Sequence, residues 1–449
     1  MVPILRRAAA ALALAFAMAG LAATQAAAVP AFAVQTGEPC QACHVGGFGP
    51  QLTTFGREFK LQGYTMRTKN GTLPFSAMAV ASYLRTAEGQ NPAPDHYNGN
   101  DNTALDQVSL FFAGGFGQHL GAFIQTTYDG VARAWGWDNL DLRATTTTTI
   151  KGKDVVLGAS LNNSPTTGDA WNSLSAWGYP YTDSALAPSP SASPLLLGGG
   201  LAQSSLGLTG YAWINSMLYV EGGGYWSPDA NTLSRLGADP TDPGDIDGLA
   251  PYGRVAFQHD AGPGTLEIGL SGMKADIHPG LDRDTGLTDR YTNVGVDGSW
   301  IQTLTSGDTL TFNGRYIHER QRLDATCALA DGAPGCASNS LDDLRFDAAY
   351  YWSNNVGLTA AVFETTGDAN PDIFGDNRTF KPDSSGLTLQ LDATPFGKTG
   401  SPLGPRFNMR VGAQYTAYGR FEGASHNYDG SGRNAADNDT LRIFVWAAY

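Results

Sequence analysis

The chain has 449 residues, a formal net charge of −14, 56 glycines and a low share of charged residues. The negative balance argues against nucleic acid as a partner, and the glycine- and aromatic-rich composition, with almost no helical periodicity, argues against several soluble domains despite the length. Four cysteines fit an oxidising compartment.

The chain opens with Arg6 and Arg7, a small apolar run from Ala8 to about Ala23, and then Ala26-Ala27-Ala28. This is the pattern of a secretory signal peptide, residues 1–28, cut before Val29, with a cut after Ala33 as the alternative. No later run has the eighteen apolar residues that a membrane-spanning helix needs.

Residues 40–44 read Cys-Gln-Ala-Cys-His. This is the spacing for covalent attachment of a c-type haem. The Cys40 and Cys43 thiols add across the two haem vinyl groups, and His44 ligates the iron from one face. A structural zinc site needs four protein ligands, and the remaining cysteines, Cys327 and Cys336, lie far along the chain. A Cys40–Cys43 disulfide is the other reading of the pair. The adjacent histidine favours one covalent haem c.

Residues 29–75 hold few strand-like runs. Phe55, Phe59 and Leu61 predict a short amphipathic helix over residues 53–62, with Arg57 and Lys60 on its polar side. Gly46, Gly47, Gly49 and Pro50 predict a flexible turn after the histidine. So short a segment cannot form an independent cytochrome core, but it suffices for a haem-bearing plug inside or against a barrel wide enough to accept one. A thioether is a natural second axial ligand. The candidates are Met78 at the start of the first strand, Met66 and His96. Met78 is favoured because its side chain can point into a lumen. Core filling is the commoner use of a methionine.

From residue 76 to 449 the pattern has period two. Leu266, Ile268 and Leu270 alternate with Glu267 and Gly269; Leu310 and Phe312 alternate with Thr311, Asn313 and Arg315; Leu387, Leu389 and Leu391 alternate with Thr388, Gln390 and Asp392. Sixteen strands are predicted, starting near residues 76, 104, 117, 137, 152, 204, 216, 249, 262, 290, 306, 339, 355, 384, 404 and 437. Connections after even strands are tight, except the longer one at 396–403; those after odd strands are mostly long and polar, as at 164–203, 227–248 and 321–339. Short periplasmic turns and long outer loops mark a transmembrane antiparallel β-barrel of the outer membrane, an all-β fold embedded in the lipid bilayer. The segment 184–194, rich in Pro, Ser and Ala, reads as a mobile external loop. Cys327 and Cys336 fall in a long loop and are expected to pair. Leu441, Ile443, Val445, Ala447 and Tyr449 alternate up to an aromatic C-terminus, as in a final barrel strand.

The run 28–37 ahead of the haem motif, with Pro50-Gln-Leu-Thr-Thr-Phe-Gly-Arg57 and Glu58-Phe-Lys-Leu-Gln-Gly-Tyr64 after it, closely resembles the fused monohaem cytochrome–porins of iron(II)-oxidising bacteria. The likeness is close in the haem segment and architectural in the barrel. It departs at Val34, where the family pattern carries arginine. The resemblance implies a sixteen-stranded outer-membrane barrel that takes electrons from extracellular Fe(II) through one haem to a periplasmic cytochrome c, as an iron(II):cytochrome c oxidoreductase.

The expected function is thus an outer-membrane electron conduit, with axial ligation, burial and access as the protein's contribution. The alternatives are a diffusion porin with a haem-bearing sensor or plug, a conduit for a donor other than iron, and a haem-bearing receptor or structural barrel. Asp239, Asp242, Asp245 and Asp247 cluster in an outer loop. They read either as a cation-concentrating patch or, preferably, as a solvated acidic loop. Arg315 and Arg442 are lumen residues whose charge balances either haem propionates or internal acids.

Overall fold

The computed structural model describes residues 29–68, 71–174, 182–190, 195–330, 336–396, 401 and 406–449. The expected signal peptide and most of the 396–403 turn lie outside them. The strands are β1 (Phe75–Thr86), β2 (Asn102–Phe116), β3 (Leu120–Asp129), β4 (Ala134–Ile150), β5 (Lys153–Asn162), β6 (Leu206–Ile214), β7 (Leu218–Trp226), β8 (Asp245–Ile246) and β9 (Ala250–Ala261). They continue as β10 (Gly264–His278), β11 (Asp289–Thr303), β12 (Thr309–Leu323), β13 (Ser338–Trp352), β14 (Val356–Gly367), β15 (Ser384–Ala393), β16 (Asn408–Arg420) and β17 (Thr440–Ala448). The two-residue β8 pairs with the end of β10. The other sixteen form an antiparallel meander in which β7 bonds directly to β9. The barrel closes where β1 pairs with β17, from Met78 opposite Ala448 to Thr86 opposite Thr440. Each of the sixteen starts within four residues of its expected position.

The direction of the alternation decides what surrounds the barrel. In β15, Leu387, Leu389 and Leu391 are 39–55% exposed, whereas Thr388, Gln390 and Asp392 are at most 3% exposed. In β10, Ile268 and Leu270 face out and Glu267 faces in. Leaving one such leucine in water rather than burying it costs about 1.5–3 kcal/mol. A continuous outer belt of them is stable only against lipid. The chain is therefore an all-β transmembrane barrel of the outer membrane.

The lumen is occupied from two directions. Residues 29–68 fill the mouth at the short-turn end: the Gly46 backbone N–H donates to Asn354 Oδ1 (2.7 Å) in the β13–β14 turn, and Asn408 Nδ2 donates to the Gly47 carbonyl (2.9 Å). From the long-loop end, the described parts of the β5–β6 connection fold inward as a strap. Trp171 Nε1 donates to Gln258 Oε1 (2.9 Å), the Leu196 N–H to Glu319 Oε2 (3.0 Å) and Ser184 Oγ to Asp106 Oδ1 (2.6 Å). Leu186 is buried with Leu84 and Ala104. This corrects the expectation of a mobile external loop over 184–194, of which residues 184–190 are described. Pro, Ser and Ala mark an irregular path but not its side of the wall, and here wall side chains satisfy the strap's polar groups. Cys327 and Cys336 form the expected disulfide in the β12–β13 connection.

Candidate functional site

Local sequence builds the plug around residues 40–44. Pro39 starts a helical turn, Cys40–Cys43, and the His44 N–H closes it on the Cys40 carbonyl (2.9 Å). The chain reverses through the glycines and returns, so that the Thr53 N–H reaches the Cys43 carbonyl (2.9 Å). Thr53 then caps the helix Thr54–Leu61, its hydroxyl accepting from the Gly56 N–H (3.2 Å). Gly56 lets the helix press on the motif: a Cβ there would lie 2.3 Å from the Cys43 carbonyl oxygen. The glycine turn, expected to be flexible, is packed against the barrel wall. Gly46, at φ +69°, is wedged against the wall, and a Cβ on it would lie 2.4 Å from Tyr351 Cε1.

The helix matches its expected span, but its polar side is not solvated. Arg57 Nη2 donates to Ser299 Oγ (2.8 Å), and Lys60 Nζ donates to the carbonyls of Thr167 (2.9 Å) and Asp169 (2.7 Å) and to Asn172 Oδ1 (3.0 Å). Both cations are buried. They join the plug to the strap and the wall, and burial brings the Lys60 ammonium down to about 8.

Between plug and wall lies an open-sided cavity with about 1220 Å³ free of protein atoms, counting the part open to solvent. Cys40, Cys43 and His44 line it on the plug side, Met78 and Trp446 on the wall side. Phe32, Phe48, Phe111 and Phe123 make most of the remaining lining apolar, and Gln107, Gln125, Asn172 and Thr182 supply polar groups. Neither Cys40 nor Cys43 is in a disulfide. Burial pushes the Cys43 thiol up to about 12. Burial also takes the His44 imidazole down to about 4, with the Gly49 backbone opposing the fall and Arg410 adding to it. The ring is thus neutral at ordinary pH, the form that ligates a metal.

Of the three candidate second ligands, the structure brings only Met78 to this cavity. The Met66 carbonyl accepts from Gln35 Nε2 (2.9 Å), and its side chain is not in the lining. His96 lies in the β1–β2 loop at the far end of the barrel. Arg442 and Arg315 balance internal acids, at 2.7 Å from Asp106 and 2.9 Å from Asp343. In the acidic loop, Asp239 accepts from the Thr241 N–H (2.8 Å) and Asp245 pairs with Arg283. Among the described residues, no group of three or more His, Cys, Asp or Glu side chains is placed to hold a metal ion directly.

Sequence reading passed over Trp446 and Phe48, whose rings lie 4.5 Å apart between the motif and the last strand. The signal was present. Leu441, Ile443 and Val445 face lipid, so Arg442, Phe444 and Trp446 must face the lumen.

No family model matches the chain, and no curated protein matches it. Among solved structures it is similar to OmpT of Vibrio cholerae, at 11% identity over 86% of this chain and 99% of that one, with a TM-score of 0.41. It is also similar to an anion-selective porin of Comamonas acidovorans (12% identity, 84% and 98% coverage, TM-score 0.41). A third is the channel DcaP of Acinetobacter baumannii (11% identity, 84% and 96% coverage, TM-score 0.47). At such identities and TM-scores the likeness concerns the barrel and carries no residue of the site.

Proposed function

We propose that this protein is an outer-membrane electron carrier of the cytochrome–porin kind, moving single electrons from an extracellular donor, Fe(II) first among the candidates, to a periplasmic cytochrome c. The observation that supports it is the meeting of Cys40, Cys43, His44 and Met78 on one largely apolar cavity at the short-turn mouth. Residues from two separated stretches of sequence, 40–44 and the start of β1, share this lining, and their chemistry fits a covalently held haem c. The haem supplies a one-electron iron couple.

The protein's own residues do the rest. The Cys40 and Cys43 thiols would tether the group to a turn that the Thr54–Leu61 helix braces. His44 presents a neutral imidazole. Met78 offers a thioether from the wall, which favours the reduced state relative to a second imidazole. The phenylalanine lining would give a bound haem a largely apolar surrounding. The buried Lys60 and Arg57 hold the plug in place, so the ligand set stays rigid while charge changes. No acid–base group is needed, because no substrate bond is made or broken. The plug and the inward strap favour a conduit over the alternative of a wide diffusion pore.

The test is anaerobic stopped-flow absorbance on the oxidised, membrane-purified barrel. Fast reduction of the haem bands by Fe2+, lost in His44→Ala, is the expected result. A haem that dithionite reduces and Fe2+ does not would remove iron as the donor and leave a conduit for another. A protein without covalent haem, conducting freely in planar bilayers, would replace this reading with the porin.

A further inference from the structure

Met78 does not face the cavity unsupported. Trp446 Nε1 lies 3.2 Å from Met78 Sδ and donates to it. The two residues sit on the adjacent strands β1 and β17, where Trp446 is opposite Val80 and Met78 is opposite Ala448, one diagonal step apart. The indole is 8% exposed. A buried indole N–H requires an acceptor, and here the acceptor is the sulfur. The ring system also packs against Phe48, four residues after His44, at a centroid distance of 4.5 Å. One side chain therefore touches both the plug that carries His44 and the thioether across from it.

We infer that Trp446 is a positioning residue for the haem site: its N–H fixes the Met78 thioether and draws electron density from the sulfur, holding the iron couple at a higher potential. The inference rests on the proposed haem reading and on Met78 as second axial ligand. Methionine has three rotatable bonds and settles readily into alternative rotamers. A single N–H donor and a packed ring remove that freedom. A thioether sulfur carries two lone pairs, so one can accept the indole hydrogen while the other remains for a metal. Donation to the first makes the sulfur a poorer electron donor, which destabilises ferric iron more than ferrous. Releasing the sulfur and restoring its electron density therefore act in the same direction, toward a lower potential.

The experiment is a redox titration of the full-length barrel, with far-red absorption of the oxidised protein as the marker of thioether-to-iron bonding. Wild type, Trp446→Phe, Met78→Leu and Phe48→Leu are compared. Trp446→Phe keeps an aromatic ring beside Phe48 but removes the N–H together with part of the indole, so Phe48→Leu, which disturbs the packing and keeps the N–H, serves as the packing control. The expected result is a weakened far-red band and a shift of about tenfold or more toward ferric haem, which for one electron is about 59 mV downward. Phe48→Leu keeps the N–H and is expected to shift the couple less. An unchanged potential and band in Trp446→Phe, with the band lost in Met78→Leu, would overturn the inference and leave the axial ligand standing. A wild-type band in Met78→Leu would remove Met78 as ligand, and the inference with it. Should Trp446→Phe fail to insert, Trp446→Leu, which carries no hydrogen-bond donor, carries the same expectation and the same refutation.

Discussion

Two regions of one lumen are sealed by opposite chemistry. Around Cys40–His44 the walls are phenylalanines, a tryptophan and a methionine, and the cavity is left open. Around Arg254, deeper under the strap, the space is closed by charge. Its guanidinium donates to both oxygens of Asp297 (2.7 and 2.8 Å) and lies 3.3 Å from Glu267 and 3.5 Å from Asp169 of the strap. All four side chains are fully buried. An apolar cavity can stay empty without leaving a buried charge unpaired. A buried charge cluster tolerates no vacancy, because each partner left unpaired bears the full cost of desolvation. The first region is built to hold something; the second is built to hold the strap.

Substitutions in each region should fail in different ways. The largest effect is expected from Cys40→Ser with Cys43→Ser: complete loss of covalent haem, read by peroxidase staining after denaturing electrophoresis, from a barrel that still migrates as folded before heating. Loss of the folded form as well would mean that the cavity lining depends on its guest. Arg254→Met should act the other way, retaining covalent attachment while destabilising the strap. Removing one member of such a buried cluster costs about 3–5 kcal/mol, visible as a lower temperature for the heat-induced mobility shift and as larger, noisier conductance in planar bilayers. Gly46→Ala should fall below both. Its φ of +69° and the 2.4 Å approach to Tyr351 leave no space for a methyl group, and strain of this kind costs about 1–3 kcal/mol. The expected sign is faster proteolysis of the 29–68 segment with the barrel intact.

The outer face of the barrel was readable residue by residue, and its inner contents were not. Period-two runs such as Leu387-Thr388-Leu389-Gln390-Leu391 state both the strand and its two environments. The motif at 40–44, the capped helix at 53–62 and the Cys327–Cys336 pair are local or nearly so, and each was legible. Arg57 and Lys60 read only as the polar side of the helix; their partners Ser299, Thr167 and Asp169 come from elements far away in sequence. The strap read as an outer loop for the same reason: nothing local to 182–190 reveals that Asp106, on β2, accepts a hydrogen bond from Ser184. Met78 was reachable because it opens the first strand beside the motif segment. Trp446, its partner, required knowledge that the last strand closes on the first.

The comparison is sharpest where the same chemistry occurs in water. Arg85 and Asp101 form an ion pair at 3.6 Å on the long-loop side of β1, with side chains 51% and 44% exposed. Tyr83 also donates its hydroxyl to Asp101 (2.5 Å). Charge type and pairing resemble those of Arg254, but water solvates each partner when the other is removed, and salt screens what remains. Asp101→Asn should therefore lower stability by less than about 1 kcal/mol, a difference close to the noise of the same heat-shift measurement and smaller still at high salt. If it costs as much as Arg254→Met, burial is not what makes the lumen cluster decisive, and the distinction between the two regions loses its physical basis. If the two differ by several-fold, the dryness of the lumen, rather than its count of ion pairs, is what fastens the strap beside the cavity.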